Sequence, residues 1–265
     1  SGTVVQLGKY PIRENYTFVG WYADRGLTEQ IDSIKMTSNK IVYAGWEKTA
    51  VPSSLNGDDH FAYIIGYDDG QVHPEANITR AEVATIFFRL LKEDVRNENL
   101  TTANSFPDVE ADAWYNTAVS TMAKMGIVRG YPNGDFGPED AITRAEFAAI
   151  CARFDERVTS GEASFTDIAE HWAKLDIVKA SENGWILGYD DGSFKPDRHI
   201  ARAEAMAMVN RVLSRNPEEP EDLLDGMLKW PDNENVEKWY YLDIQEATNS
   251  HDYERKANGM ERWTG

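Results

Sequence analysis

The sequence predicts a mainly α chain built on three copies of one unit, preceded by a small strand-rich module. Three observations predict it. The stretch GYPNGDFGPEDAITRAEFAAI at Gly130–Ile150 recurs as GYDDGQVHPEANITRAEVATI at Gly66–Ile86 and as GYDDGSFKPDRHIARAEAMAMV at Gly188–Val209. Each copy runs into apolar residues at helical spacing, as in Ala145, Ala148, Ile150, Cys151 and Phe154. Residues 1–49 carry instead short aromatic and β-branched runs (VVQLGKYPI, YTFVGWY, NKIVYAGWEK) separated by turn-like segments, as strands are.

Each copy divides into the same parts. Asp69-Gly70, Asn133-Gly134 and Asp191-Gly192 are tight-turn pairs, because glycine tolerates the positive φ such turns need. Pro74, Pro138 and Pro196 follow in an extended loop. Thr79 with Glu82, and Thr143 with Glu146, then spell a capping box: the threonine hydroxyl accepts from the third helical amide, and the glutamate reaches back to the threonine amide. Ala201 replaces threonine in the third copy, a loss of about 1 kcal/mol of capping. The arginines after these caps, Arg80, Arg144 and Arg202, lie 64 and 58 residues apart, and such fixed self-similarity outweighs any single motif as a guide to architecture.

A second element precedes two copies. Phe106-Pro-Asp-Val109 leads to Trp114-Tyr115, and Phe165-Thr-Asp-Ile168 leads to Trp172. The first copy lacks it, whereas Trp230-Pro-Asp-Asn233 and Trp239-Tyr240 stand unmatched near the carboxyl end. A closed ring of three units, with its two ends meeting, accounts for both halves.

Composition narrows the function. The 265 residues suffice for one large domain, or a mid-sized one with a small companion, and 42% of them are apolar. The net charge of −18 argues against a nucleic-acid partner, since phosphate binding requires clustered Lys and Arg. No run is apolar enough for a membrane span, so no membrane insertion is expected. Cys151 stands alone inside FAAICARF and reads as a small core residue, and the start, SGTVV, without Met, reads as a processed or partial chain. No Gly-x-Ser-x-Gly, His-Glu-x-x-His or phosphate loop occurs, so no catalysis is expected. His60, His73, His171, His199 and His251 share no repeat position, and no metal or cofactor is expected. An EF-hand reading of the DDG turns fails: the ligand positions before Gly192 hold Tyr189 and Leu187, and those before Gly134 hold Tyr131 and Arg129.

The ordered set FPDV or FTDI, Trp, GYPNG or GYDDG and ITRAE or IARAE, three times over, resembles S-layer homology (SLH) repeats across residues 55–265. The resemblance implies a pseudo-threefold helical SLH spindle with three prongs, monomeric, with ligand grooves between the prongs. Its repeats would span about 55–104, 105–163 and 164–216, with 217–265 completing the first. Tyr16–Tyr22 with Val42–Trp46 resembles the Listeria–Bacteroides surface repeat over residues 1–49, truncated at its amino end, which implies a small β-grasp-like spacer joined through a linker at 50–54. The implied function is non-covalent anchoring of a surface protein to secondary cell-wall polysaccharide, commonly through pyruvylated N-acetylmannosamine, at the cell wall or S-layer. Arg80, Arg144 and Arg202 would meet the ketal carboxylate, as an arginine fork at a helix start can; local pairing with an acid is their other reading. Asp108, Asp167 and Asp232 would cap turns or touch sugar hydroxyls. Gly66, Gly130 and Gly188 would let a ligand approach the backbone, or simply serve the turn. Trp114, Trp172 and Trp239 could stack on sugars, although at these helical positions they read as core before groove. Without its threonine, the third copy predicts unequal grooves, the one using Arg202 weakest. The rival reading is a surface adhesin that binds a host or bacterial protein through another face, independently of the three arginines.

Overall fold

A computed structural model describes residues 3–8, 11–13, 16–157, 159, 161 and 165–265. In the amino-terminal module, β1 (Thr3–Gln6) pairs antiparallel with β4 (Ser33–Met36), and β2 (Tyr16–Tyr22) lies between β3 (Gln30–Ile31) and β5 (Tyr43–Lys48). Phe18 sits edge-on to Trp21 and Trp46, with ring centroids 5.4 and 5.5 Å away, so the YTFVGWY and YAGWEK runs meet through their aromatic side chains. The Thr49 hydroxyl donates to the Asn183 carbonyl at 2.8 Å and ties the end of this module to the helical body.

The helical body runs α1 (Arg80–Leu90), α2 (Glu93–Asn99), α3 (Asn116–Lys124), α4 (Arg144–Arg153), α5 (Lys174–Glu182), α6 (Arg202–Leu213) and α7 (Tyr241–Thr248). It ends in a hairpin of β6 (Tyr253–Arg255) and β7 (Glu261–Trp263). α1, α4 and α6 are the helices that begin at Arg-Ala-Glu. They pack respectively beside α3, α5 and α7, which follow the tryptophans. Thr79 and Thr143 form complete capping boxes, whereas Ala201 keeps only half of one, its amide donating to Glu204 at 2.9 Å. Restoring the hydroxyl with Ala201→Thr should add about 1 kcal/mol and raise the thermal midpoint by about 2–4 °C. An unchanged or lowered midpoint in a calorimetric scan would rule out a vacant cap there.

The three copies are joined at the centre by their backbones. The Ile142 amide donates to the Ile78 carbonyl, the Ile78 amide to Ile200, and the Ile200 amide to Ile142, at 3.0, 3.3 and 3.1 Å. All three isoleucines are fully buried. At the helix starts the hand-over runs in the opposite sense: the amides of Arg80, Arg144 and Arg202 donate to the carbonyls of Asp140, Arg198 and Ala76 of the next copy. Helix amides that have no partner within their own helix are thereby satisfied by a neighbouring copy.

The mainly α expectation is corrected by the structure: the described residues are 27% helix and 16% strand. Each copy holds only short helices, and its turn-and-proline segment is extended. The amides and carbonyls of that segment bond to the next copy and to aspartate side chains, and so do not close helical turns. The amino-terminal module likewise contains strands and no helix among its described residues.

Candidate functional site

The turn of each copy is held from beneath by the element that carries the aspartate. Asp108 accepts from the Phe136 and Gly137 amides at 2.8 and 2.7 Å, and Asp167 from Phe194 and Lys195 at 2.8 Å each. Asp232 accepts from Val72 at 3.1 Å and His73 at 2.7 Å, so the carboxyl-terminal segment does for the first copy what its own sequence lacks. The three carboxylates are thus engaged with backbone. The repeated glycines have a packing reason. A Cβ on Gly130 would lie 2.7 Å from the Phe106 ring, on Gly188 2.3 Å from Phe165, and on Gly66 2.1 Å from Trp230. The aromatic residue two positions before each aspartate presses against the turn, and only hydrogen leaves room.

The motif arginines are buried bolts between copies, 6%, 4% and 3% exposed for Arg80, Arg144 and Arg202. Arg80 directs Nε to the Phe136 carbonyl (2.8 Å), Nη1 to Glu146 (2.6 Å) and Nη2 to the Arg129 carbonyl (2.8 Å). Arg144 directs Nε to Phe194 and Nη2 to Leu187, both at 2.8 Å, with Glu204 3.6 Å from its Nη1. Arg202 reaches the Val72 carbonyl at 2.9 Å and Glu82 at 2.6 Å. The rings of Tyr131, Tyr189 and Tyr67 cover the three guanidinium groups at 4.5, 4.9 and 4.6 Å from the ring centroids. Burial pushes the Tyr131 and Tyr67 phenols up to about 12, so both stay neutral donors.

The tryptophans lie outside the core. Trp114, Trp172 and Trp239 are 64%, 64% and 62% exposed, each backed by the ring next to it, Tyr115, His171 or Tyr240. Their place at the start of a helix, before its buried face begins, turns them outward. Trp172 lines a cleft of about 720 Å³ together with Gly130, Tyr131 and Thr143 of the second copy and the buried Arg80 of the first. Exposed Arg129 and half-buried Arg153 add positive charge, against Asp140, Glu146 and Asp197. A related cleft of about 510 Å³ brings Trp239 to Tyr189, Ala201, Glu204 and Arg198.

Sequence reasoning overlooked three participants. Tyr131 and Tyr189 follow the repeated glycine and were visible as the Y of each GY pair. Arg129 had no such signal, because its counterparts are Ile65 and Leu187.

Comparison with known proteins places these features in a family. The S-layer homology domain matches at residues 62–84, 105–148 and 164–206, and the Listeria–Bacteroides repeat domain matches at residues 1–45. Cell surface glycoprotein 1 of Acetivibrio thermocellus is 37% identical over 77% of this chain and 9% of its own length. The cellulosome-anchoring protein of the same organism is 35% identical over 80% of this chain and 47% of its own length. The surface-layer 125 kDa protein of Lysinibacillus sphaericus is 32% identical over 66% of this chain and 14% of its own. The chain therefore spans less than half the length of these relatives. Others that match are named an amylopullulanase, an exoglucanase and an endoglucanase, of which 8%, 14% and 18% are covered.

Proposed function

Since the chain carries three S-layer homology repeats behind a Listeria–Bacteroides repeat domain, we propose that it holds its parent protein to secondary cell-wall polysaccharide, gripped in the cleft between Tyr131 and Trp172. Chains with these repeats are cell-surface proteins of the cell wall or S-layer, and among the described residues no helix is long and apolar enough to cross a membrane. The observation that carries the proposal is an exposed tryptophan that lines one cleft of about 720 Å³ together with a tyrosine and an exposed arginine of the neighbouring copy. Aromatic faces stack on the apolar faces of sugar rings, and a guanidinium meets a carboxylate with two hydrogen bonds. A pyruvylated N-acetylmannosamine presents both kinds of surface.

Arg129 is the group that reaches a ketal carboxylate in this cleft, with Arg80 contributing charge from beneath. Arg144 and Arg202 lie equally deep under Tyr189 and Tyr67, and their grooves lack an Arg129 counterpart. With Arg198 of the second cleft already paired to Glu204, the first cleft should be the tighter of the two. Modest affinity at one cleft suffices when several engage one polymer, because the second contact forms at high effective concentration.

Co-sedimentation with purified cell walls tests this, before and after chemical removal of the secondary polymer. Trp172→Ala and Arg129→Ala change exposed side chains, so each should stay folded and lose about tenfold or more in wall binding, roughly the 1–3 kcal/mol of one stacking or bidentate contact. Undiminished binding by both variants would remove the cleft from consideration. Binding to walls stripped of polymer would instead favour a protein partner on another face.

A further inference from the structure

Four side chains far apart in sequence meet where the chain's two ends close. His60 precedes the first copy, Glu246 lies on α7, His251 follows that helix, and Glu261 opens β7. We propose that His60, His251, Glu246 and Glu261 form a closed four-ligand site for a divalent transition-metal ion, zinc by preference, which staples the last hairpin to the start of the first copy.

The distances suit one ion. His60 Nδ1 lies 3.1 Å from His251 Nε2, 3.4 Å from Glu246 Oε1 and 3.7 Å from Glu261 Oε1, and His251 Nε2 lies 3.3 Å from Glu246 Oε2. Bonds of about 2.1 Å to a tetrahedral zinc separate neighbouring ligand atoms by about 3.4 Å. All four side chains are fully buried.

Hydrogen bonding orients one ligand and leaves others in need of a partner. His251 Nδ1 stands 3.1 Å from the Asn249 carbonyl, which can only accept, so the proton is on Nδ1 and the Nε2 lone pair points into the cluster. Glu261 is 0% exposed, and neither of its oxygens, nor Glu246 Oε1, meets a nitrogen or hydroxyl donor in hydrogen-bond geometry among the described residues; the two carboxyl groups face each other. A proton between the two histidines would satisfy the nitrogens only. A metal ion would satisfy nitrogens and carboxylates together.

The neighbouring arginines do not fill that role. Arg215 directs its Nη donors to the Phe61 and Asp59 carbonyls at 3.2 and 2.9 Å and stands 3.9 Å from Glu246. Arg255 gives Nη2 to the Ser214 carbonyl at 2.8 Å and stays 3.4 Å from Glu261. Tyr253 and Trp263 stack on the two histidine rings at 3.8 and 3.9 Å and fix their planes. A surface cleft of about 590 Å³ is lined by His60 and His251 and lies over the buried cluster. The site would do the work of a disulfide in a chain whose single cysteine cannot make one.

The whole chain, stripped with chelator and dialysed, should take up one equivalent of zinc by calorimetry. Its thermal midpoint should rise by about 5–10 °C with zinc and stay put with magnesium or calcium. Cobalt(II) should give the visible absorption of a four-coordinate site. Glu261→Gln and His60→Gln, each close in shape to the residue replaced, should bind zinc at least about 100-fold more weakly, while Trp172→Ala binds it as the parent does. If the stripped parent takes up no zinc at tenfold excess, or if both Gln variants hold it as tightly as the parent, the proposal is wrong. Because the cobalt spectrum is read on the parent chain, it decides the matter even where a variant fails to fold.

Discussion

Replacing Arg80 by alanine should cost about 3–5 kcal/mol of stability, because it leaves Glu146 charged and largely buried without its partner. The carbonyls of Phe136 and Arg129 lose their donors in the same stroke. At roughly 2–4 °C per kcal/mol for a chain of this size, the thermal midpoint should fall by about 10 °C or more. Lysine should not rescue it, since one ammonium cannot reach three acceptors set around a planar fork. Urea unfolding of Arg80→Ala and Arg80→Lys checks this directly. If both keep parental stability yet lose wall binding, the guanidinium serves the ligand and not the joint. The same reasoning governs any binding test: an arginine variant that no longer sediments with walls is uninformative until its folding has been measured, whereas Trp172→Ala and Arg129→Ala avoid that confusion.

Removing residues 217–265 should have a still larger effect. The cut deletes Trp230 from over Gly66, Asp232 from beneath the first turn, and α7 from the side of α6. Trp230, Tyr240, Ile244 and Trp263 are all buried, and at about 1.5–3 kcal/mol for each large apolar side chain their loss amounts to about 6–12 kcal/mol. That equals the whole stability of an ordinary domain. The shortened chain should lose its cooperative unfolding transition and bind a hydrophobic dye, with the first copy cleaved soonest in limited proteolysis. A single sharp transition near the parental midpoint would show that the first copy stands without its distant half.

What was legible in the sequence was local. Thr79 and Glu82 are three residues apart, and their capping box could be read without any knowledge of the fold. The pressure on Gly66, Gly130 and Gly188 could not, because the rings that cause it lie 24, 23 or, for Trp230, 164 residues away in the chain. The arginines illustrate the same limit: a helix-start cation looks ready for an anion, but Glu146 meets Arg80 from 66 residues away. The tryptophans misled in the other direction. Hydrophobicity weighed them as core, yet they sit one step ahead of the helix face that is buried. Helix falls short of the expectation because the helical spacing after each Arg-Ala-Glu covers only part of a unit, and much of the rest is extended chain bonded to its neighbour. The two histidines and two glutamates at the chain's closure share no repeat position, and nothing in their spacing links residue 60 to residue 261.

The ring of isoleucine amides and carbonyls has a consequence for the arithmetic of copy number. In an open stack of repeats, units can be gained or lost one at a time, since the end unit simply exposes a new face. Here Ile78, Ile142 and Ile200 each give one bond and receive one, so the circuit is complete at three. A fourth copy would find no free donor or acceptor, and deletion of one would leave two loose ends in a dry interior. Lengthening such an anchor should therefore proceed by adding another whole triplet, and shortening it should be all or nothing.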